Sequence, residues 1–226
     1  MSLADSIKDV WRSVSELVEG LFPCKKAPAQ PRYNPHAKSN SVKLNLFRGD
    51  PQFSRYNSCV GDNEATYNLY DYAEGYFEAT LLLLQEAKKL GARVAIIGYP
   101  VCLNFRHALE LYIKYLITEL SKVARIDATY KLNQSLKANW KVAKKLMNRT
   151  TFLAAQEQVA VIENAVNNLM EVDPKGDIFR YTESIMDDQH LKDWSDINLE
   201  VIELHYRKIF GVAKLWHYNL ESLLDR

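Results

Sequence analysis

The chain has 226 residues and a net charge of +1, with 47% hydrophobic and 25% charged residues. These are ordinary values for a soluble globular protein, and they exclude an overall field that would draw the whole chain to nucleic acid or membrane. Eight glycines and seven prolines are few, which favours long helices over a turn-rich β fold.

Cys24, Cys59 and Cys102 lie far apart and fit neither a metal knuckle nor a disulfide framework, so reduced thiols in a cytoplasmic protein are expected. No apolar run approaches the roughly 20 residues of a membrane span, and the first residues do not read as a secretory signal. No membrane contact is expected. His36, His107, His190, His205 and His217 form no spaced metal site, and no phosphate-cradling glycine loop occurs. Neither a metal nor a cofactor is therefore expected.

Residues 1–22 read as an amphipathic helix, with Leu3, Ile7, Val10, Val14, Leu17 and Leu21 on one face. The preferred reading docks it on its own domain; the alternative docks it on a second subunit or partner. Residues 23–63 form a basic connector containing Pro23, Pro28, Pro31 and Pro35, with a weak strand signal at Val42, Leu44 and Leu46. Residues 64–226 are the main helical domain. Its first helix is expected over about Glu64 to Leu90, with Gly91 as its cap. Leu81 to Leu84 predict burial on several sides, and Tyr67, Tyr70, Tyr72 and Tyr76 are expected mainly in the core.

The central helix is expected from Tyr99 to Leu120, with Pro100 in its first turn. Phe105, Ala108, Leu109, Tyr112, Leu116 and Leu120 recur at helical spacing. Arg106, Glu110 and Lys114 stand at i, i+4 and i+8 and so share one edge. Arg106, His107 and Glu110, together with Arg180, are the charged constellation worth examining for chemistry. The preferred reading is a polar network that fixes helix packing, with Arg106 and Glu110 paired and mostly buried.

Between Lys122 and Arg149 eight basic residues face one acidic residue, a local charge of +7. A helix over about Gln134 to Asn148 should bury Leu136, Trp140, Ala143 and Met147. It should turn Lys137, Lys141, Lys144 and Lys145 outward, where they are the candidates for nucleic-acid binding. The next helix is expected from Phe152 to Glu171, capped by Thr151. From Glu171 to Glu203 ten acidic residues face three basic ones, a local charge of −7. These two blocks are expected to neutralise each other within the chain or its dimer. The last helix starts after Ser195, with Val201, Leu204, Phe210, Ala213, Leu215, Trp216 and Leu220 on a broad apolar face.

Three segments in order resemble the HEPN superfamily, compact helical domains common in prokaryotic toxin–antitoxin and defence operons. Asp71-Tyr72-Ala73-Glu74-Gly75-Tyr76 is similar to its opening helix. Phe105-Arg106-His107-Ala108-Leu109-Glu110-Leu111-Tyr112-Ile113-Lys114 is similar to its second helix. Asp173-Pro174 leading to Phe179-Arg180-Tyr181 resembles the Arg-Tyr turn before its last helix. The resemblance spans roughly 64–224 and implies an all-α, up-and-down bundle. Where relatives have Gly-His-x-Leu, this chain reads Asn133-Gln134-Ser135-Leu136. The ribonuclease members carry an arginine followed four to six residues later by histidine. Here Arg106 adjoins His107, and Arg180 and Arg207 precede His190 and His217 by ten residues.

The resemblance therefore implies a non-enzymatic, HEPN-like homodimer that binds a partner protein. Two alternatives stand beside it. One is a metal-independent endoribonuclease, with His107 moving a proton and Arg106 or Arg180 on the phosphate. The other is an RNA-binding protein that uses the lysine helix.

Overall fold

A computed structural model describes residues 58, 67–89, 94–128, 130, 135–181, 183, 190–192, 194 and 196–225. The chain divides into two units, Met1–Ser58 and Cys59–Arg226, and all described residues except Ser58 belong to the second. The N-terminal amphipathic helix, the strand signal at Val42–Leu46 and the Gly91 cap lie outside the described residues.

The described part is all-helical: α1 (Leu69–Ala87), α2 (Val94–Ala124), α3 (Leu136–Met147), α4 (Gln156–Val172) and α5 (Leu199–Leu224). Each helix packs against the next in sequence, α5 closes on α1, and α2 also meets α5. Tyr112 to Ile117 of α2 are buried on every side of the helix. That run is the axis around which the other elements are placed.

Side-chain caps decide where the helices begin. Asn68 Oδ1 accepts from the amides of Tyr70 (2.6 Å) and Asp71 (3.4 Å), and Asp71 Oδ2 accepts from the Asn68 amide (2.7 Å). This reciprocal box starts α1 five residues later than the periodicity suggests. Asn198 caps α5 through the amides of Glu200 and Val201. Thr151 does not cap α4; its helix starts at Gln156, and Gln158 Oε1 accepts from the Ala155 amide at 3.3 Å.

The central helix reaches well beyond the expected span. It begins at Val94, so Pro100 lies inside it. Proline withholds one helical hydrogen bond there. Asn104 Nδ2 donates to the Pro100 carbonyl at 2.7 Å. At the other end Arg125 turns left-handed (φ 52°), and the Ile126 amide donates to Ser121 O.

The core is aromatic and joins distant segments. Tyr112 Oη donates to Ala213 O (3.1 Å), and Tyr206 Oη donates to Phe77 O. Trp216 stacks parallel to Trp140, meets Phe152 edge-on, and donates from Nε1 to Gln158 Oε1 at 2.8 Å. One side chain of α5 thus fixes α3 and α4.

Three expected faces need correction. Of the α1 tyrosines only Tyr70 is in the core; Tyr67, Tyr72 and Tyr76 are exposed. In the leucine run Leu84 is buried but Leu82 is 66% exposed. On α5 the buried line runs through Leu199, Tyr206, Ile209, Ala213, Trp216 and Leu220, whereas Val201, Leu204 and Leu215 face outward. In each case the outward residues face away from the helices packed against that element among the described residues.

The contrast between Leu116 and Leu82 can be measured. Leu116→Ala should cost about 2–5 kcal/mol in urea unfolding, because its side chain is fully enclosed. Leu82→Ala should stay within about 0.5 kcal/mol of wild type. Equal losses would contradict the packing described.

Candidate functional site

The i, i+4 register of α2 brings Arg106, Glu110 and Lys114 into line, as their spacing requires. Glu110 accepts from Arg106 Nη1 at 3.1 Å through Oε2 and from Lys114 Nζ at 2.8 Å through Oε1. Arg106 and Lys114 are buried; Glu110 is part-exposed. Burial by itself would raise the Glu110 carboxyl. The Lys114 hydrogen bond and the charges of Lys114 and Arg106 outweigh it and hold it below its ordinary value.

The partner on the far side of Arg106 comes from the end of α4. Asp173 caps that helix, donating its amide to Leu169 O at 2.7 Å. Its carboxylate is fully buried. Oδ1 accepts from the amides of Gly176 (2.7 Å) and Ile178 (3.2 Å), so the turn folds around its own acid. Arg106 Nε lies 3.1 Å from Oδ2 and donates to Asp173 O at 3.4 Å. Oδ2 has no aligned hydrogen bond, so charge alone holds that oxygen. Gly176 lies against the guanidinium with φ +86°, and a Cβ there would come within 2.7 Å of Nη1. Only glycine satisfies both the left-handed backbone and this approach.

The turn continues into buried Phe179, which meets Tyr99 edge-on, and then exposed Arg180 and Tyr181. His107 follows Arg106 and so points about 100° around the helix. It is half-buried and edge-on to Tyr76, with ring centroids 4.5 Å apart. Burial lowers its pKa, and Arg180, Lys114 and Arg106 lower it further against the opposing pull of Glu110. Burial and these cations favour its neutral form.

Of the four candidates, Arg106 and Glu110 are thus in direct contact, and His107 and Arg180 flank them. None lines either of the two cavities, of about 470 and 340 Å3, that flank residues 196–198. The sequence reading missed Asp173 as the partner of Arg106. The Asp-Pro-x-Gly turn signal was present, but its target is 67 residues away.

A second polar cluster also escaped the sequence reading. His217 is buried, with Nδ1 2.7 Å from Tyr115 Oη and its ring stacked on Tyr70 at 3.5 Å. Burial raises the Tyr115 hydroxyl well above its ordinary value, so it stays protonated, and the imidazole tautomer sets which of the two groups donates. Burial also lowers His217, against Glu221, Glu74, Asp71 and Glu119. Among the described residues no group of His, Cys, Asp or Glu is arranged to hold a metal ion. No helix among them is long and apolar enough to cross a membrane.

The lysines of α3 divide. Lys144 pairs with Glu163 of α4, while Lys137, Lys141 and Lys145 are exposed and make no ion pair among the described residues. Of the acidic segment, Asp187, Asp188 and Asp193 lie outside the described residues. Asp173 serves Arg106, and Glu203 serves Lys88 and Arg207. Helix α3 packs against α2 and α4, whereas Glu203 lies on α5.

Compared with protein-family models, curated proteins and solved structures, the chain has no significant match.

Two predictions follow from this geometry. Gly176→Ala should destabilise by about 1–3 kcal/mol from backbone strain alone, and Asp173→Ala by about 3–5 kcal/mol, since it leaves Arg106 short of a buried partner. Urea unfolding reads both, and an unchanged midpoint in either variant would reject the lock.

The second concerns acid. His107 and His217 both have folded-state pKa values below the ordinary 6.5, so the unfolded chain takes up protons first. Stability should be full above that value and decline as the pH falls from about 6.5 towards 5. A His107→Gln, His217→Gln variant should flatten this slope; a slope as steep as wild type would place the linkage elsewhere.

Proposed function

We propose that the chain is a non-enzymatic, HEPN-like helical protein that acts as a homodimer and binds a partner protein. Its setting would be the prokaryotic defence and toxin–antitoxin context of that superfamily. The observation that carries the non-enzymatic part is the position of Arg106. It is 6% exposed, held between Glu110 and Asp173, and covered by the backbone of Gly176. A guanidinium that stabilises a phosphate in flight must face the substrate; this one faces the turn.

The HEPN-like part is supported by the same contact. Segments chosen for their resemblance, one in α2 and one ahead of α5, are joined by an ion pair that makes them a single unit. The homodimer is supported by Leu204 and Leu215, which stand outward on α5 at 59% and 45% exposure with exposed Gly211 between them. A second copy would cover such a line.

Incubation of the full chain with single-stranded RNA, followed by a denaturing gel, tests the reading. No cleavage above background is expected, and His107→Ala and Arg180→Ala should change nothing. Cleavage by wild type that disappears in either variant, with the melt intact, would reassign the chain as an endoribonuclease.

A further inference from the structure

The outward edge of α3 carries a row of cations. Elsewhere several exposed cations stand beside a carboxylate, as Lys88 and Arg207 share Glu203, Lys89 has Glu86 and Lys122 has Glu119, whereas Arg125, Lys175, Arg180 and Lys192 make no ion pair among the described residues. Helix α3 contains no acidic residue. Lys137, Lys141 and Lys145 recur every four residues, so they form one line, with successive members about 6 Å apart. Exposed Arg149, in the turn that follows, extends the series by the same step. None of the four makes an ion pair among the described residues, and the only matched α3 cation, Lys144, sits off the line.

We propose that this line binds the phosphate backbone of a nucleic acid strand without reading its bases. The inference stands apart from the reading of the α2 network, because it rests on α3 and the turn after it. Three physical points favour a phosphate strand over an acidic protein segment. A protein interface needs an apolar or aromatic centre. The exposed residues of α3 and of the turn after it, 148–151, are Lys137, Lys141, Lys145, Asn148, Arg149 and Thr151, all polar, and exposed Leu153 lies beyond that turn. The apolar side chains Leu136, Trp140, Ala143, Leu146 and Met147 all point into the core. A regular row of unmatched ammonium groups, by contrast, is what displaces counterions from a polyphosphate. Without an exposed aromatic in the row there is nothing on which a base could stack, so the contact should ignore sequence and sugar.

The test is fluorescence anisotropy of the full chain with a labelled oligouridylate of about 15 nucleotides, and with oligothymidylate of the same length. Four phosphate contacts on a single strand give a log–log salt slope near −2.8, or about fifty-fold weaker binding between 50 and 200 mM salt. Each Lys→Gln change at 137, 141 or 145 should reduce the slope by about 0.7. The triple variant Lys137→Glu, Lys141→Glu, Lys145→Glu should lose binding at 50 mM salt and keep its melting temperature, since these side chains make no ion pair to lose. Both oligonucleotides should bind alike. Absence of wild-type binding at 50 mM salt, a flat salt response, or full binding by the triple variant would overturn the proposal. So would a tenfold preference for one of the two strands, or equal competition by polyglutamate, which would point to an acidic protein instead.

Discussion

The described structure depends on the ion pair between Arg106 of α2 and Asp173 at the end of α4. Both side chains are out of water, and a buried pair of this kind gains little net stability over apolar packing. Its effect lies in what it rules out. With Asp173 absent, the guanidinium would keep only Glu110, which is part-exposed. With Arg106 absent, a fully buried carboxylate would rest on two backbone amides. Each partner therefore makes the other's position obligatory, and between them they set how the 173–178 turn meets the middle of the bundle.

That turn has a consequence for chemistry. Gly176 brings its backbone against the guanidinium, so Arg106 is covered on that side. His107 is adjacent in sequence, yet successive residues on a helix diverge by about 100°, and it turns to Tyr76 instead. Arg180 is exposed but sits past the turn. The charged residues that looked like a site are thus distributed among a lock, a ring contact and a surface position. The second buried histidine follows the same logic. His217 shares a hydrogen bond with Tyr115 while its ring lies on Tyr70, so a polar group holds α5 to α1 and α2.

What the sequence made legible was periodicity and short-range pairing. Five helices and their order could be read from apolar spacing, and the Arg106–Glu110–Lys114 ladder from i, i+4 geometry. What it hid were interactions set by tertiary context. Nothing local says that Asp173 reaches back 67 residues to Arg106, or that Trp216 gathers Trp140, Phe152 and Gln158. Apolar runs were over-read for the same reason. Leu82, Leu204 and Leu215 lie in patterns that imply burial, but a helix at the rim of a bundle has only one covered face. Helix starts followed capping side chains more closely than periodicity, as Asn68 and Asn198 show. Pro100 illustrates the opposite case, a local signal for a helix start that the extended α2 overrides.

Net charge is a poor guide to what such a chain can hold. A total of +1 invites the inference that opposed blocks cancel, and the acidic and basic segments are equal in size. Cancellation, however, requires proximity: at low dielectric a few ångströms decide the interaction, and beyond a Debye length in salt it is gone. Inside the bundle the requirement is met, because an unmatched charge there would carry its full desolvation cost. On α3 no such cost applies, since water solvates each ammonium group. Sequence order then puts the basic helix between α2 and α4 and Glu203 on α5, beside Lys88 and Arg207. Among the described residues the fold matches the charges it buries and leaves a row of those it exposes without an ion pair.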